Sequence, residues 1–266
     1  MTTRVDLGAK IAAKLEAADA ASAFAASGPV RHAVIDDLLP IDDLRAISSA
    51  FPSTADMVRK RSLREDKYVA AQMDRHAPIL EESVYAFQQP RVLELIGQIT
   101  GFGALEPDEN LYAGGISTMC EHQFLNPHLD NSHDKDGTRW RVLNLLYYVT
   151  DHWQTANGGH LQLWPGGVHE DPITIECVDN RLVIMETHGG SWHSVTEVVA
   201  AQERRCVSNY YFSRVPIHDD DRMHVTTFRN PVSAPKDLAL RADNLLRRTA
   251  KKVVGRRHEN PHVYKR

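Results

Sequence analysis

The chain has 266 residues, of which 42% are hydrophobic and 25% are charged, so it is long enough to bury a full core as one large domain. Its formal net charge of −4 excludes a polycation, although the ten basic and three acidic residues of segment 236–266 leave the remainder at about −11. No apolar run approaches the roughly 20 residues of a membrane span, and the N-terminus lacks the apolar block of a signal peptide. Cys120, Cys177 and Cys206 form no CxxC pair, which suits a reducing compartment. We therefore expect a cytoplasmic protein without a membrane partner.

Helical patterns dominate the first hundred residues. Apolar residues three and four apart predict an amphipathic helix over residues 7–24, which Ser27-Gly28-Pro29 ends. A short strand over 33–39 and a helix over 41–51 follow, and a third helical pattern covers 81–99 with an interruption near Pro90. The segment 53–80 is charged and has no clean period, so it is predicted as loop.

From about residue 109 to residue 214 the pattern changes to short β-rich runs separated by glycine-rich turns. The candidate strands are residues 111–120, 141–150, 160–164, 173–177, 182–186 and 206–212. Many short strands with helices before and after them predict an α+β, mainly β protein with a sandwich or jelly-roll core. We expect one domain over 1–266, with an N-terminal helical region 1–107, a strand core 108–214 and a C-terminal extension 215–266.

The C-terminal extension contains the run 224–228 and a predicted basic helix over 236–254. Basic residues cluster between Arg247 and Arg257, a pattern that is found in nucleic-acid-binding proteins. However, an apolar stripe on the same helix favours a packed helix with a solvated face; its members are Leu238, Leu240, Leu245, Leu246, Val253 and Val254. We therefore expect no nucleic-acid partner.

The segment His128-Leu129-Asp130, with the distant His193, is the strongest functional signal in the chain. Two imidazoles and one carboxylate can occupy one face of an octahedral iron and leave the other face open. Residues two apart on an extended segment point to the same side, so His128 and Asp130 can reach one ion. The spacing alone is also compatible with a hydrogen-bonded surface loop, but each candidate lies at the end of a predicted strand.

A second signal is the strand that begins at Arg204 and Arg205. Alternation sends Arg204, Cys206, Ser208 and Tyr210 to one face, and Arg205, Val207 and Asn209 to the other. A guanidinium fork suits the bidentate binding of a carboxylate, although a cation at a strand start can also be a simple solvated charge.

Together these residues resemble the iron(II)- and 2-oxoglutarate-dependent oxygenases, especially the prolyl-hydroxylase-like branch. The resemblance covers roughly residues 108–214; it includes His128-Leu129-Asp130-Asn131, the run from Arg141 to Val149, the run from Gly158 to Pro165, Asn180-Arg181-Leu182-Val183, His193 and the strand from Arg204 to Phe212. It implies a double-stranded β-helix core, which is a cupin-like jelly roll. It also implies that the cofactors are Fe(II), 2-oxoglutarate and dioxygen, with ascorbate as a reductant.

The resemblance assigns roles to individual residues. His128, Asp130 and His193 would bind the iron, and Arg204 would bind the C5 carboxylate of 2-oxoglutarate, with Arg205 as the alternative. Tyr148, the second tyrosine of its pair, and Ser208 would contact the same carboxylate, although Tyr148 could also be a core aromatic residue. Candidate walls of the substrate pocket are Asn131, Trp140, Trp192 and, with ordinary packing favoured for it, Trp164.

The implied activity is an oxidoreductase reaction: hydroxylation or desaturation of an unactivated carbon, with decarboxylation of 2-oxoglutarate to succinate. The presence of Asp130 disfavours halogenation, because related halogenases replace this carboxylate with a small residue. We expect the substrate to be a small molecule, such as an amino acid or natural-product intermediate, free or bound to a carrier or peptide. The alternatives are a peptidyl, prolyl-type hydroxylase and, from another class, a non-catalytic metal-binding scaffold or sensor.

Overall fold

The computed structural model describes residues 2–112, 114–254 and 264, without the side chains of residues 248–254. Six α-helices lie within these residues: α1 (Arg4–Ala17), α2 (Ala20–Ala26), α3 (Ile41–Ser49), α4 (Pro78–Ala86), α5 (Pro90–Thr100) and α6 (Ala234–Val254).

The N-terminal helices follow the sequence prediction with one difference. The single helix predicted over 7–24 is two helices, because the backbone leaves the helical conformation at Ala18 and Asp19. A capping box between Thr3 and Asp6 begins α1, and its side chains Leu7, Ile11 and Leu15 are buried, as the periodicity predicted. The predicted break near Pro90 is confirmed, since α5 begins at this residue and Gly101 ends it in a left-handed conformation.

Thirteen strands of the described residues form one curled antiparallel sheet. They are β1 (His32–Ile35), β2 (Val58–Arg61), β3 (Glu65–Ala70), β4 (Glu106–Pro107), β5 (Gly115–Met119), β6 (Phe124–Leu129), β7 (Trp140–Tyr148), β8 (Leu161–Leu163), β9 (Ile173–Ile175), β10 (Arg181–Glu186), β11 (His193–Val195), β12 (Arg204–Ser213) and β13 (Thr227–Phe228). The order is β1-β10-β7-β12-β5-β3-β6-β11-β8-β9, with β13 beside β6, β2 beside β3 and β4 beside β12. This half-barrel confirms the predicted jelly-roll class.

The curled sheet separates two hydrophobic cores. The larger core lies between its convex face and the helices, and it contains Leu145, Tyr147, Val207 and Tyr211. The smaller core lines the concave face, with Tyr148, Val183, Leu163 and Cys206 among its members. Alternation along β12 therefore directs Arg204 and Cys206 into the half-barrel and Arg205 and Val207 towards the helices, as the sequence predicted.

The prediction of a loop over residues 53–80 is wrong. This segment contains the hairpin of β2 and β3, in which Val58 pairs with Val69 and Lys60 with Lys67. The strand β3 is then inserted into the sheet, where it pairs with both β5 and β6. Charged side chains lie on both faces of this hairpin, so the alternation of apolar and polar residues that identifies a strand is missing.

The C-terminal part packs beside β6 of the half-barrel. Only the last two residues of the predicted run 224–228 form a strand, β13, and α6 packs beside it through the buried residues Leu240 and Asn244. The predicted apolar stripe is not buried as a whole, because Leu238 is 69% exposed. Arg256 and Arg257 of the basic cluster lie outside the described residues. No helix in the described part of the chain is both long and apolar enough to cross a lipid bilayer.

Asn180 connects the strand core to the segment before α3. It adopts a positive φ of 57°, and its side chain accepts hydrogen bonds from the Leu39 N–H (3.0 Å) and the Tyr147 hydroxyl (2.8 Å) and donates to the Leu39 carbonyl (2.7 Å). All of these groups are buried, so each would lose its partner if the amide were removed.

We therefore predict that Asn180→Ala lowers the free energy of unfolding by about 3 kcal/mol, measured by urea denaturation, because three buried hydrogen bonds are lost and alanine disfavours a positive φ. Asn157→Ala is the matched control on a half-exposed turn, with an expected change below about 0.5 kcal/mol. Equal effects of the two substitutions would contradict this role of Asn180.

Candidate metal centre and cosubstrate pocket

An irregularity in β6 brings His128 and His193 together. His193 of β11 pairs with His128, but Val195, two residues further along, pairs with Leu125, three residues back on β6. The extra residue is a β-bulge around Asn126 and Pro127, a position where a strand tolerates a proline. As a result, the side chains of both Leu125 and His128 lie on the concave face.

The two histidines are held in one orientation. The Nδ1 atom of His128 lies 3.0 Å from the Asn126 carbonyl oxygen, and that of His193 lies 2.9 Å from the Ser191 carbonyl oxygen. A carbonyl accepts only from an N–H, so both rings carry a proton on Nδ1, and Nε2 is the atom of each ring that can ligate a metal. The ring centroids are 4.1 Å apart.

Asp130, which is partly buried, completes a group of three ligand atoms with the two buried histidines. The carboxylate lies 3.6 Å from His128 Nε2 and 3.7 Å from His193 Nε2, and all three ligand atoms are within 4.8 Å of one another. These separations are too long for hydrogen bonds and suit three ligands around one ion. Burial, helped by the adjacent His193, lowers the pKa of His128 to about 3, so this imidazole is neutral and able to ligate near neutral pH.

A second group of possible ligands, Asp151, His152 and Asp179, lies at the protein surface. The Asp151 carboxylate is already paired with Arg45 at 3.2 Å, and His152 is exposed. The largely buried triad is therefore the better candidate for a metal centre.

Two side chains of β7 hold Asp130 in place. Asn144 donates a hydrogen bond to Oδ2 (2.7 Å), and Nη1 of the buried Arg141 lies 3.2 Å from the same oxygen. Burial alone would raise the pKa of Asp130, but the positive charge of Arg141 and the hydrogen bond from Asn144 bring it well below its ordinary value. The carboxylate is thus ionised, as a metal ligand must be.

Arg141 and Asn144 are three residues apart, yet both reach Asp130. A second register irregularity explains this, because β7 gains a residue opposite Tyr211 and Phe212 of β12. The Nε and Nη2 groups of Arg141 are buried and have no hydrogen-bond partner among the described residues. Neither residue was predicted as part of the site; the sequence signal for them is an arginine and an amide within an otherwise apolar strand.

Arg204 and Arg205 occupy opposite sides of β12. Arg205 points to the helices, where it donates to the Ser48 carbonyl (2.7 Å) and pairs with Glu203 (2.9 Å). Arg204 is buried inside the half-barrel, where its Nε donates to the Gly159 carbonyl (2.7 Å). Only Arg204 therefore lies on the same face as the histidine pair.

Tyr148 forms the wall beside Arg204. The guanidinium carbon lies 4.7 Å from the centroid of its ring, and the buried Tyr148 hydroxyl has no hydrogen-bond partner among the described residues. Burial raises the pKa of Tyr148 far above its ordinary value, so the hydroxyl remains a donor. A buried cation beside an unpartnered hydroxyl is a suitable site for a carboxylate.

Gly159 allows Arg204 to lie where it does. A Cβ at this position would lie 2.5 Å from Arg204 Cδ, and the residue has a φ of +68°. Both the space and the backbone conformation require glycine.

Ser208, two positions beyond Cys206 on the same face, lies 3.6 Å from the Cys206 sulfur and is only partly buried.

The predicted pocket-wall residues are dispersed. Asn131 follows Asp130 and donates to the His133 carbonyl (2.8 Å), and Trp192 precedes His193 and is half-buried. Trp140 packs against the larger hydrophobic core. Trp164 donates its indole N–H to Ser194, the neighbour of His193 whose side chain points to the other face of β11.

Comparison with known proteins relates the strand core to one family. Residues 114–213 match the family model described as 2OG-Fe(II) oxygenase superfamily. No curated protein matches the chain.

Several solved structures share the fold at low sequence identity. A prolyl-4-hydroxylase from Pseudomonas putida superposes with a TM-score of 0.54 at 18% identity, covering 77% of this chain and all of that one. An oxidoreductase of the 2OG-Fe(II) oxygenase family from Burkholderia pseudomallei gives 0.52 at 17% identity, covering 77% and 93%. HygX from Streptomyces hygroscopicus, with nickel, 2-oxoglutarate and hygromycin B bound, gives 0.50 at 10% identity, covering 72% and 86%.

We predict that Asn144→Ala weakens Fe(II) binding about 10- to 100-fold, as measured by anaerobic titration calorimetry, because Asp130 loses the donor that orients it. Ser194→Ala is the matched control: this residue is also buried, and it neighbours His193 on the opposite face of β11. Unchanged affinity in the Asn144 variant would contradict the importance of this hydrogen bond.

Proposed function

We propose that this chain is a 2-oxoglutarate- and iron(II)-dependent oxygenase, because its residues 114–213 match the model of that superfamily, and that it hydroxylates an unactivated carbon of a small molecule. The observation that supports this most strongly is the convergence of the buried His128 and His193 and the partly buried Asp130 on the same concave face as Arg204.

We assign the iron-binding role to the Nε2 atoms of His128 and His193 and to the ionised carboxylate of Asp130. Their donor set and burial agree with the 2-His-1-carboxylate arrangement that leaves coordination positions open. Bound iron and 2-oxoglutarate would supply the oxidation, in which 2-oxoglutarate and dioxygen give succinate, carbon dioxide and one oxygen atom inserted into a C–H bond.

The remaining residues position and shield the reactants. In our assignment Arg204 and the Tyr148 hydroxyl bind the C5 carboxylate of 2-oxoglutarate, whereas Ser208 is a weaker candidate for the same group. Phe228 of β13 stacks on His128, with 5.1 Å between ring centroids and 13° between planes, and excludes water from that side of the ring. Arg141, with two unpartnered donors, is available to a polar group of the substrate.

The hairpin of β2 and β3 favours a small substrate. Because β3 is hydrogen-bonded along one side to both β5 and β6 and along the other side to β2, the hairpin is anchored over its length as a wall of the half-barrel. A peptide substrate needs a groove that continues on both sides of the metal. A peptidyl hydroxylase is the second candidate, and it is compatible with the family.

We expect the purified protein, supplied with Fe(II), ascorbate and 2-oxoglutarate, to release succinate, and the His128→Ala variant to release only background amounts because one metal ligand is lost. His169→Ala, a matched change of a histidine outside the triad, should retain the wild-type rate. If neither the wild type nor the His169→Ala control released succinate with any substrate pool, the proposed activity would be contradicted.

To separate the two substrate classes, cell extract is divided into small molecules and peptides, and each fraction is incubated with the enzyme. Mass spectrometry should detect a 2-oxoglutarate-dependent gain of one oxygen in the small-molecule fraction. A gain confined to peptides would favour the peptidyl hydroxylase.

The neighbouring arginines provide an internal comparison. Arg204→Met should raise the KM for 2-oxoglutarate about 10- to 100-fold, which corresponds to the loss of a charge-assisted hydrogen bond. Arg205→Met should leave this KM unchanged and affect only thermal stability, because Arg205 contacts Ser48 and Glu203 on the helix side. Equal changes in KM would refute the assignment to Arg204.

A further inference from the structure

The inner face of the β2–β3 hairpin carries charged side chains that the proposed chemistry does not use. Lys60 and Lys67 are directly opposite each other, and Glu65 lies two residues before Lys67 on the same face. The strand pairings connect this face to the interior, because Val69 is opposite Ser117 on β5, and Ser117 is opposite Cys206 on β12. Lys60, Glu65 and Lys67 therefore project towards the concave side of the half-barrel.

The charges of this hairpin act on the metal centre. The positive charge of Lys67 adds to the lowering of the His128 pKa that burial produces, and it opposes the rise of the Cys206 pKa that burial produces. Burial, and then the positive charge of Lys67, lower the pKa of Lys60. The negative charge of Asp130 opposes this lowering, so Lys60 is close enough to interact with the Asp130 carboxylate. Both ammonium groups thus lie within electrostatic range of the triad.

The two lysines are not equally neutralised. Lys67 forms an ion pair with Glu65 at 3.2 Å, whereas the half-buried Lys60 has no hydrogen bond or ion pair to any of the described residues. Like charges directly opposite on neighbouring strands destabilise a sheet, and burying an ammonium group without a counter-ion is unfavourable. Such an arrangement is explained if an anion normally occupies the space in front of Lys60.

The charge balance of the pocket agrees with this explanation. Lys60, Lys67, Arg141 and Arg204 face two carboxylates, Glu65 and Asp130. The two charges of Fe(II) and the two charges of 2-oxoglutarate cancel, so the loaded pocket keeps an excess of positive charge. Asp108 is a further carboxylate near Tyr210, and its two oxygens accept hydrogen bonds from the Tyr112 and Gly114 backbone amides. Counting its charge as well still leaves the loaded pocket with an excess of positive charge.

We propose that Lys60, supported by Lys67, binds an anionic group of the substrate, either a carboxylate or a phosphate. This inference rests on the proposed function and narrows its substrate class to small anions. Lys60 is a specificity-determining residue in this proposal: the hairpin holds the anion while the carbon to be oxidised faces the metal.

The test measures binding separately from turnover. Under anaerobic conditions the Fe(II)–2-oxoglutarate complex is titrated with probes, and a change in its visible absorption reports that a probe has entered the site. One arm compares the twenty amino acids as free acids with their primary amides and includes acetate as a further probe. The other arm compares phosphoserine with serine and includes inorganic phosphate as a further probe.

We expect either the carboxylate probes or the phosphate probes to change the absorption at concentrations at least about tenfold lower than their neutral counterparts. The neutral probes lack one charge-assisted contact, which accounts for a difference of this size. The arm that responds identifies the carboxylate or the phosphate. Lys60→Met and Lys60→Glu should weaken this binding about tenfold or more, with the larger loss for glutamate, while the Kd for 2-oxoglutarate changes less than about threefold.

Arg61→Met is the matched control, because Arg61 is the next residue on the same strand and its side chain is 73% exposed. It should leave the binding of every probe unchanged. Thermal melts of all variants verify that the hairpin remains folded.

The proposal is overturned if no anionic probe, acetate and phosphate included, binds more tightly than its neutral counterpart. It is also overturned if Lys60→Met weakens acids and amides equally, or weakens 2-oxoglutarate as much as the probes. Failure of the proposed function is distinguishable from these outcomes, because the Fe(II)–2-oxoglutarate absorption would then not form at all.

Discussion

The candidate site depends on one extra residue in β6. If β6 paired regularly with β11, His128 and Leu125 would lie on opposite faces, and the histidine pair could not form on the concave side. The bulge around Asn126 and Pro127 rotates the strand so that His128 faces His193 and the chain can continue to Asp130. Neighbouring strands hold this irregular segment in place, since β3 pairs with its beginning and β13 with its end.

The interior of the half-barrel combines a rigid frame with polar groups that lack protein partners. The Tyr148 hydroxyl and two nitrogen groups of Arg141 are buried and unsatisfied among the described residues. Such groups reduce stability when nothing binds them. A ligand that satisfies them therefore binds to a preformed site and stabilises the folded state at the same time.

The sequence predicted those parts of the site that obey simple periodicity. The alternation of β12 separated Arg204 from Arg205, and the spacing of His128 and Asp130 indicated the segment that contributes two members of the candidate triad. It did not predict the position of Arg141, because strict alternation would turn Arg141 and Asn144 to opposite faces and only a register shift brings them to one carboxylate. The hairpin of β2 and β3 was missed for a related reason, since Lys60 and Lys67 occupy inward positions where a strand pattern leads one to expect apolar residues.

The contact between Phe228 and His128 has a consequence for how this protein can be divided. The segment that matches the family ends at residue 213, yet the ring stacked on a candidate ligand belongs to β13, and the backbone of Phe228 is in turn held by the Asn244 side chain of α6 through bonds of 3.1 and 2.8 Å. A fragment cut at the limit of sequence similarity would keep all three candidate ligands and lose one wall of their enclosure. The segment recognised by sequence comparison is therefore shorter than the segment needed to enclose the candidate metal centre.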